Sequence, residues 1–500
     1  MTTAARPLRK ILIANRGEIA LRVIRACRAG GRTAVAIYSD ADRAALHVHA
    51  ADEAYRVGGA APADSYLNIS AIVGAARRCG ADAVHPGYGF LSENPAFAEA
   101  CEEAGLTFIG PPAAALALCG DKSRTRRAAL AAGVPVLSGT DLLSDAAAMQ
   151  AAKDLTFPVL IKAAAGGGGK GIHLVERPSE LVGALLLARG EARTAFGDDR
   201  IYLEQWLDRP RHVEVQILAD AHGAVVHLGE RECSIQRRHQ KLIEESPAPA
   251  LTPELRKAIG KAALAAARAV GYRNAGTVEF LVSGRAFYFL EINARLQVEH
   301  PVTEWVTGLD LVALQFGVAE GEPLPFRQGD VRPRGHAIEC RISAEDVDHE
   351  FLPSVGRIGE VVLPGGPGVR VDAALSPGME ITRFYDPLLA KVIAWGPTRD
   401  EAIARLGSAL RETVVTGVLT TIPFHLWTLA HPGFRSGHYH TRFVEEEWAA
   451  PSRRPDASPG RWLAALAAAA LAARDDRRPP LLPPQDAGAW GRAARQDGLA

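Results

Sequence analysis

Four consecutive glycines, Gly166 to Gly169, lie between two largely apolar runs, Val159-Leu160-Ile161-Lys162 and Ile172-His173-Leu174-Val175. No other feature restricts the fold as tightly. Glycine has the most backbone freedom to lose, so a fourfold run is costly to order without a ligand. Gly166, Gly168 and Gly171 have the G-x-G-x-x-G spacing of a dinucleotide-binding turn, but that turn must open a helix, and here a second strand follows. A P-loop is excluded too, because Gly171 stands where Ser or Thr is required. What remains is strand, glycine loop, strand: a flap whose backbone N–H groups can close over a triphosphate. Lys162 and Lys170 bracket it with positive charge. A plain mobile hairpin is the competing reading.

A second constraint is Glu291-Ile292-Asn293-Ala294-Arg295-Leu296-Gln297-Val298-Glu299-His300-Pro301. Strand alternation predicts Glu291, Asn293 and Arg295 on one face. Two oxygen ligands for a hard cation such as Mg²⁺ then stand beside a guanidinium that can hold a small oxyanion. Glu299, with no partner of its own in the sequence, follows within reach. Upstream, Thr277 to Val282 and Ala286 to Glu291 read as a hairpin. A three-residue loop, Ser283-Gly284-Arg285, puts Glu279 opposite Phe289 and one diagonal step from Glu291 on the same face. A two-residue turn would put the two acids on opposite faces.

A third run, Gly229 to Lys241, is dense in cations, including Arg237, Arg238, His239 and Lys241. Nucleic-acid binders are normally basic, whereas this chain balances 57 Lys+Arg against 57 Asp+Glu. Small anions suit the run better, and no nucleic-acid partner is expected.

From residue 8 to about 120, short apolar strands (Lys10 to Ala14, Thr33 to Tyr38, Ala83 to Pro86) alternate with helices such as Glu18 to Ala29. That order predicts an α/β, doubly wound domain with a parallel sheet. No apolar run is long enough to span a membrane, and the first twenty residues enter a strand directly, unlike a signal peptide. Six cysteines without a C-x-x-C pair suit reduced intracellular thiols, so a cytoplasmic location is expected.

From about Arg9 to Phe443 the chain resembles biotin carboxylase, the ATP-grasp component of biotin-dependent acyl-CoA carboxylases. The resemblance is carried by Ile13 to Ala20, His85-Pro86-Gly87-Tyr88-Gly89-Phe90-Leu91-Ser92-Glu93-Asn94, the glycine flap, and Pro210-Arg211-His212-Val213-Glu214. It continues through Arg238-His239-Gln240-Lys241, the Glu291 run, His336 to Arg341 and Phe384-Tyr385-Asp386-Pro387. It implies an N-terminal domain over 8–120, an ATP-grasp domain over 121–334 with a lid at about 138–203, and a C-terminal α+β domain over 335–447. Residues 448–500 would be a linker and an apolar segment that begins a subunit-docking region.

The resemblance also implies a reaction. ATP activates bicarbonate to carboxyphosphate, which delivers CO₂ to the ureido nitrogen of biotin on a carrier. It implies Glu299 as the base that deprotonates bicarbonate, with Arg295, Lys241, Gln297 and the Val298 backbone holding that anion. Arg341 would stabilise the biotin anion, as an oxyanion hole does, and Tyr88 would lie along the biotin ring. ATP would be held by Lys122, Lys162, His212, Gln236 and His239, with Gly168 and Gly169 over the phosphates and Glu204 to Leu207 at the adenine. Glu279, Glu291 and Asn293 would carry Mg²⁺ or Mn²⁺. One departure stands out: members of the family often have Lys between the Glu and the aromatic residue that end the lid, and here the order is Glu204-Gln205-Trp206. Loss of that cation would weaken ATP binding without removing the chemistry.

The implied partners are bicarbonate, a biotin carboxyl carrier and a carboxyltransferase β subunit, in a homo-oligomer or larger complex. Pro451 to Gly460 reads as a linker and Trp462 to Ala473 as an apolar docking helix. None of Met1, Met149 and Met379 precedes a lysine, so a carrier's biotinylation site is expected either on a separate protein or on a longer polypeptide of which this chain is the front part. Two other readings compete: a different ATP-grasp ligase, such as a carbamoyl-phosphate-type synthase, and a non-catalytic ATP-binding scaffold. Against the first, a ligase without biotin has no use for Arg341.

Overall fold

The first five strands form a parallel sheet in the order β3-β2-β1-β4-β5: β1 Lys10–Ile13, β2 Thr33–Ser39, β3 Glu53–Gly58, β4 Ala83–His85 and β5 Thr107–Phe108. The computed structural model describes residues 7–140, 156–163 and 172–448. Helix α1, Gly17–Ala29, buries Ile19, Ala20, Val23, Ile24 and Cys27, the spacing of one helical stripe. Strand order reverses between β1 and β4, and the loops leaving those two strands meet at this switch point, where doubly wound sheets bind ligands. Asn15 joins them there, its amide donating to the carbonyls of Pro86 at 2.7 Å and Tyr88 at 2.8 Å.

The larger sheet has eight strands, all neighbours antiparallel. Its order is β13 (Ala286–Asn293), β12 (Asn274–Ser283), β9 (Arg211–Ala219), β10 (Val225–Arg237), β11 (Gln240–Ser246), β14 (His336–Ser343), then Leu388–Gly396 and Val369–Ala373. Strand β9 explains the two faces of this sheet. Val213, Val215 and Ile217 join Ile259, Ala263 and Ala266 of helix Pro253–Ala269 in one apolar core. The alternate residues His212, Glu214 and Gln216 are as deeply buried but point the other way. The strand bearing Arg341 therefore continues the sheet that bears Glu279.

The lid strands β6 (Val159–Ala163), β7 (Ile172–Val175) and β8 (Ile201–Gln205) pair in the antiparallel order β7-β6-β8. Helix Leu181–Phe196 packs Leu181, Leu185 and Ala188 onto Val159, Ile161, Val175 and Leu203. Two strands thus flank the glycine run as expected. Gly166 to Lys170, including the expected phosphate contacts Gly168 and Gly169, lie outside the described residues, as does the segment from 449 to 500.

The hairpin of β12 and β13 differs from expectation. Ser283 pairs with Ala286, so the turn holds two residues, Gly284 and Arg285, with Gly284 at φ +58°. A regular ladder from there would place Glu279 and Glu291 on opposite faces. A register shift between Glu279 and Phe280 restores them, because Phe280 pairs with Phe289 while Glu279 pairs with Glu291. Leu290 is the extra residue of a β-bulge. The acids end directly opposite each other, closer than the diagonal expected. Among the described residues no helix is long and apolar enough to cross a membrane.

Candidate active site

The polar face of the large sheet carries a chain of buried ions centred on Lys241. Its ammonium donates to Glu214 at 2.5 Å, Glu299 at 2.7 Å and Glu279 at 2.8 Å. Burial works against that charge, but the three carboxylates raise the Lys241 pKa well above an ordinary lysine's. Glu279 also accepts from His212 at 2.8 Å and from the Gln297 amide at 3.2 Å. Burial alone would raise the Glu279 carboxyl; Lys241 and His212 win and hold it well below the usual carboxylate range.

Glu299 is not the unpartnered acid expected from its place in the sequence. One oxygen takes Lys241 and the other takes the Arg341 guanidinium at 2.9 Å, so its carboxyl too is held below the usual range against the pull of burial. Arg341 also donates to Glu244 at 2.6 Å. Burial pushes Glu244 up to about 7 even with that arginine beside it, a sign of how crowded with acids this region is.

Arg295 is likewise not on the strand, which ends at Asn293; the guanidinium sits on the loop that follows. Three contacts bring it back beside the strand's polar face: Asn293 at 3.3 Å, Gln297 at 3.0 Å and Glu93 at 2.9 Å. Glu93 also accepts from the Ala294 N–H at 3.0 Å, fixing the loop itself.

The remaining expected residues lie around this line. Lys122, the first residue of helix Lys122–Ala131, reaches Glu291 at 3.0 Å. The Asp121 side chain caps that helix by accepting from the Arg124 N–H, which sets where the lysine emerges. Lys162 donates to Glu204 across the lid sheet, both buried. Leu207 is half-buried just beyond β8. Gln236 is buried on β10 opposite Lys241. His239 is exposed at the β10–β11 turn, where Arg238 and His239 both take left-handed backbone, at φ +48° and +64°. Asn-Gly is the favoured pair for such a turn, so Arg-His is retained there at a cost in strain. The Val298 carbonyl accepts from Lys391 at 2.7 Å, and the Tyr88 hydroxyl donates to Glu18.

A hard divalent cation fits the donor set. Glu279 and Glu291 face each other across the bulge with the Asn293 amide oxygen on the same strand, an all-oxygen set of the kind Mg²⁺ prefers. Around the alternative cluster of His212, Glu214 and Glu279, whose donor atoms lie within 4.8 Å of one another, Lys241 already supplies the positive charge.

Sequence comparisons cover the same span. Residues 7–116 match the family described as "Biotin carboxylase, N-terminal domain", 121–327 match "Carbamoyl-phosphate synthase L chain, ATP binding domain", and 339–446 match "Biotin carboxylase C-terminal domain". A pyruvate carboxylase subunit of Methanothermobacter thermautotrophicus is 53% identical over 87% of this chain and 89% of its own. Biotin carboxylase 1 of Bacillus subtilis is 52% identical over 88% of this chain and 98% of its own. The chain belongs to the biotin carboxylase family.

Solved structures agree. The biotin carboxylase domain dimer of Hydrogenobacter thermophilus 2-oxoglutarate carboxylase, in complex with MgADP, ADP and bicarbonate, superposes with a TM-score of 0.86. It is 48% identical over 88% of this chain and 98% of its own. Biotin carboxylase of Campylobacter jejuni also gives 0.86, at 46% identity and the same coverage. The fold is that of the biotin carboxylase ATP-grasp enzymes, flanked by the family's N- and C-terminal domains.

Sequence reasoning gave no role to four residues of this site. Arg231 is fully buried and donates to Glu214, to Gln216 at 2.7 Å, and to Thr277 and Thr303 at 3.0 Å. Glu214 joins Arg231 to Lys241. Glu93 holds Arg295, and Lys391 holds Val298. One signal was present: polar residues at alternate positions 212, 214 and 216 of an otherwise apolar strand mark a second, polar interior.

Proposed function

We propose that this chain uses ATP to join bicarbonate to the ureido nitrogen of biotin presented by a carrier, through carboxyphosphate. One observation carries the reading. Lys241 bonds at once to Glu279, on the acid pair suited to a cation, and to Glu299, which is bonded in turn by Arg341. A single, mostly buried ammonium therefore joins the place suited to nucleotide phosphates to the place suited to a biotin anion.

In this reading Lys122, Lys162, His212, Gln236 and His239 bind ATP, Gly168 and Gly169 cover its phosphates, and Glu204 to Leu207 receive the adenine. Glu279, Glu291 and Asn293 hold Mg²⁺ (or Mn²⁺), which when bound neutralises charge on the phosphates. Bicarbonate enters between Arg295, Lys241, Gln297 and the Val298 backbone. Its negative charge draws Lys241 and Arg295 toward itself and away from carboxylates. Glu299 then regains basicity, because the partners that depress its pKa are shared with the substrate. The carboxylate so freed takes the bicarbonate proton, and the resulting dianion attacks the γ-phosphorus of ATP to give carboxyphosphate and ADP. Breakdown of carboxyphosphate gives CO₂ and phosphate, and that phosphate removes the ureido proton. Arg341 stabilises the biotin anion until it attacks CO₂, while Tyr88 lies against the ring.

Similar relatives are named for pyruvate and 2-oxoglutarate carboxylases. The final acceptor, an acyl-CoA or a keto acid, therefore depends on a carboxyltransferase partner such as a β subunit. We place the chain in the cytoplasm, in a homo-oligomer or larger complex, with three working regions at 8–120, 121–334 and 335–447. The test is ATP hydrolysis by the purified chain with Mg²⁺, with and without bicarbonate, then with free biotin. Bicarbonate-dependent turnover that biotin stimulates is expected. Turnover indifferent to biotin would replace this reading with that of another ATP-grasp ligase.

A further inference from the structure

Lys391 has no solvent exposure, and a lysine is almost never fully buried unless its charge is paired. It lies on strand Leu388–Gly396, directly opposite Arg341 on one side and Asp372 on the other. Its ammonium gathers groups from three distant parts of the chain. It donates to the Val298 carbonyl at 2.7 Å, lies 3.2 Å from the Glu18 carboxylate of α1 and 3.8 Å from Asp372, and sits 6.0 Å from the centre of the Tyr88 ring. The Glu18 oxygen that faces Lys391 also accepts the Tyr88 hydroxyl. Glu339, two residues before Arg341 on β14, is fully buried nearby, and neither of its oxygens has a hydrogen-bond partner among the described residues.

The contacts to Val298, Glu18 and the Tyr88 ring, unlike that to Asp372, bear on residues to which the proposed reaction gives a role. Val298 stands between Gln297 and Glu299, so a bond to its carbonyl restrains the peptide that orients Glu299. Glu18 fixes the direction of the Tyr88 ring by holding its hydroxyl. Arg341 is the cross-strand neighbour. We infer that Lys391 is a positioning residue, one buried ammonium that holds the Tyr88 face and the Val298–Glu299 peptide in register with Arg341. This rests on the biotin carboxylase reading above. Lys391 does not touch substrate in this scheme; it keeps two substrate surfaces at a fixed separation, and small misplacements in such sites cost large factors in rate.

The test uses the full chain and steady-state kinetics with ATP, bicarbonate and free biotin varied in turn. Lys391→Met keeps the length of the side chain and removes its charge and its bond to Val298. The expected result is a tenfold or greater rise in KM for biotin together with a tenfold or greater fall in kcat, with KM for ATP within twofold of wild type. Lys391→Met leaves Glu18 without its cation, so Glu18→Gln/Lys391→Met is measured alongside it as a variant with the charge rebalanced. Its thermal midpoint should recover toward wild type while the biotin defect stays. Glu18→Gln alone leaves the Lys391–Val298 bond in place and should raise KM for biotin but not KM for bicarbonate. Wild-type kinetics in Lys391→Met would overturn the inference. So would full recovery of activity in the double variant, or a rise confined to KM for ATP. If Lys391→Met does not fold, unchanged KM for biotin in Glu18→Gln overturns it. Failure of the biotin carboxylase reading looks different, since wild type itself would then show no stimulation by biotin.

Discussion

Replacing Lys241 with Met should weaken the fold as well as stop the reaction, and the loss of stability should depend on pH in one direction. Three buried carboxylates, Glu214, Glu279 and Glu299, lie within 2.5–2.8 Å of the Lys241 ammonium. Removing one member of a buried ion cluster leaves charge uncompensated and costs about 3–5 kcal/mol. Arg231, His212 and Arg341 still face these acids, which argues for the lower end of that range. Glu279 and Glu299 have depressed pKa values in the folded protein. The stability they supply is therefore present above their unfolded values, near 4.3, and lost as pH falls below them. In Lys241→Met that contribution is gone. The gap between wild type and variant should thus be widest at pH 7 to 8 and narrow steadily below about pH 5. Urea denaturation at several pH values measures the gap, and bicarbonate-dependent ATP turnover at pH 8 should fall at least 100-fold. A gap under 1 kcal/mol at pH 7, or one that widens on acidification, would refute the argument that Lys241 is the charge the acids depend on.

Arg341→Met should abolish the stimulation of ATP turnover by biotin and lower the rate of biotin carboxylation by about 10²-fold, the usual cost of losing one donor to a developing anion; measuring both rates separates a biotin role from a nucleotide role. Glu291→Gln halves the paired acids opposite the bulge, and a Mg²⁺ titration of ATP turnover should shift to at least tenfold higher concentration. Glu245 is held at about 2 although burial pushes it up, because Arg399 at 2.6 and 2.8 Å, His336 at 2.5 Å and the Tyr439 hydroxyl all bond to it. That depression corresponds to about 3 kcal/mol of stability, present above pH 4.5 and lost as pH falls toward 2. Glu245→Gln should flatten that part of the acid-denaturation curve, read by circular dichroism against pH.

The parts of this molecule that were legible in the sequence are those where local pattern and chemistry coincide. Strand and helix alternation over the first 120 residues gave the parallel sheet because a doubly wound domain is built from local units. The flap's flanking strands were legible because a helix could not start at Ile172. The hairpin was harder. Turn length and a β-bulge both change register by one residue, and each moves every side chain to the other face. The sequence offers no mark for the bulge at Leu290, so the shared face of Glu279 and Glu291 was expected through a turn that does not exist. Arg295 was placed on a strand by extending the alternation two residues too far, past the point where Glu93 captures the chain. Lys391 and Arg231 were invisible for different reasons: Lys391 is a lone cation in an apolar strand with its acid Glu18 far away in the sequence, whereas Arg231 lies between Glu230 and Glu232, either of which is a nearer candidate partner than Glu214, the acid it actually bonds.

The same geometry constrains how substrates can bind. Lys122, Lys241, Arg295 and Arg341 each already hold a carboxylate: Glu291, the Glu214–Glu279–Glu299 group, Glu93, and the Glu244–Glu299 pair. None of these four cations waits uncompensated. An arriving anion can gain one of these four cations only by sharing it with a side-chain acid, so binding to them is an exchange of anions rather than a simple addition of charge. Exchange keeps the protein's share of the desolvation cost low, because the cation was already stripped of water, while the substrate still gives up its own hydration. It also couples the subsites. In the proposed reaction, bicarbonate drawing on Lys241 would change the charge felt by Glu279, on the side assigned to nucleotide, and by Glu299, on the side assigned to biotin. On the proposed mechanism the acid that acts as base, Glu299, is thus the one whose cations the substrates would take, and its proton affinity would rise only once bicarbonate is in place.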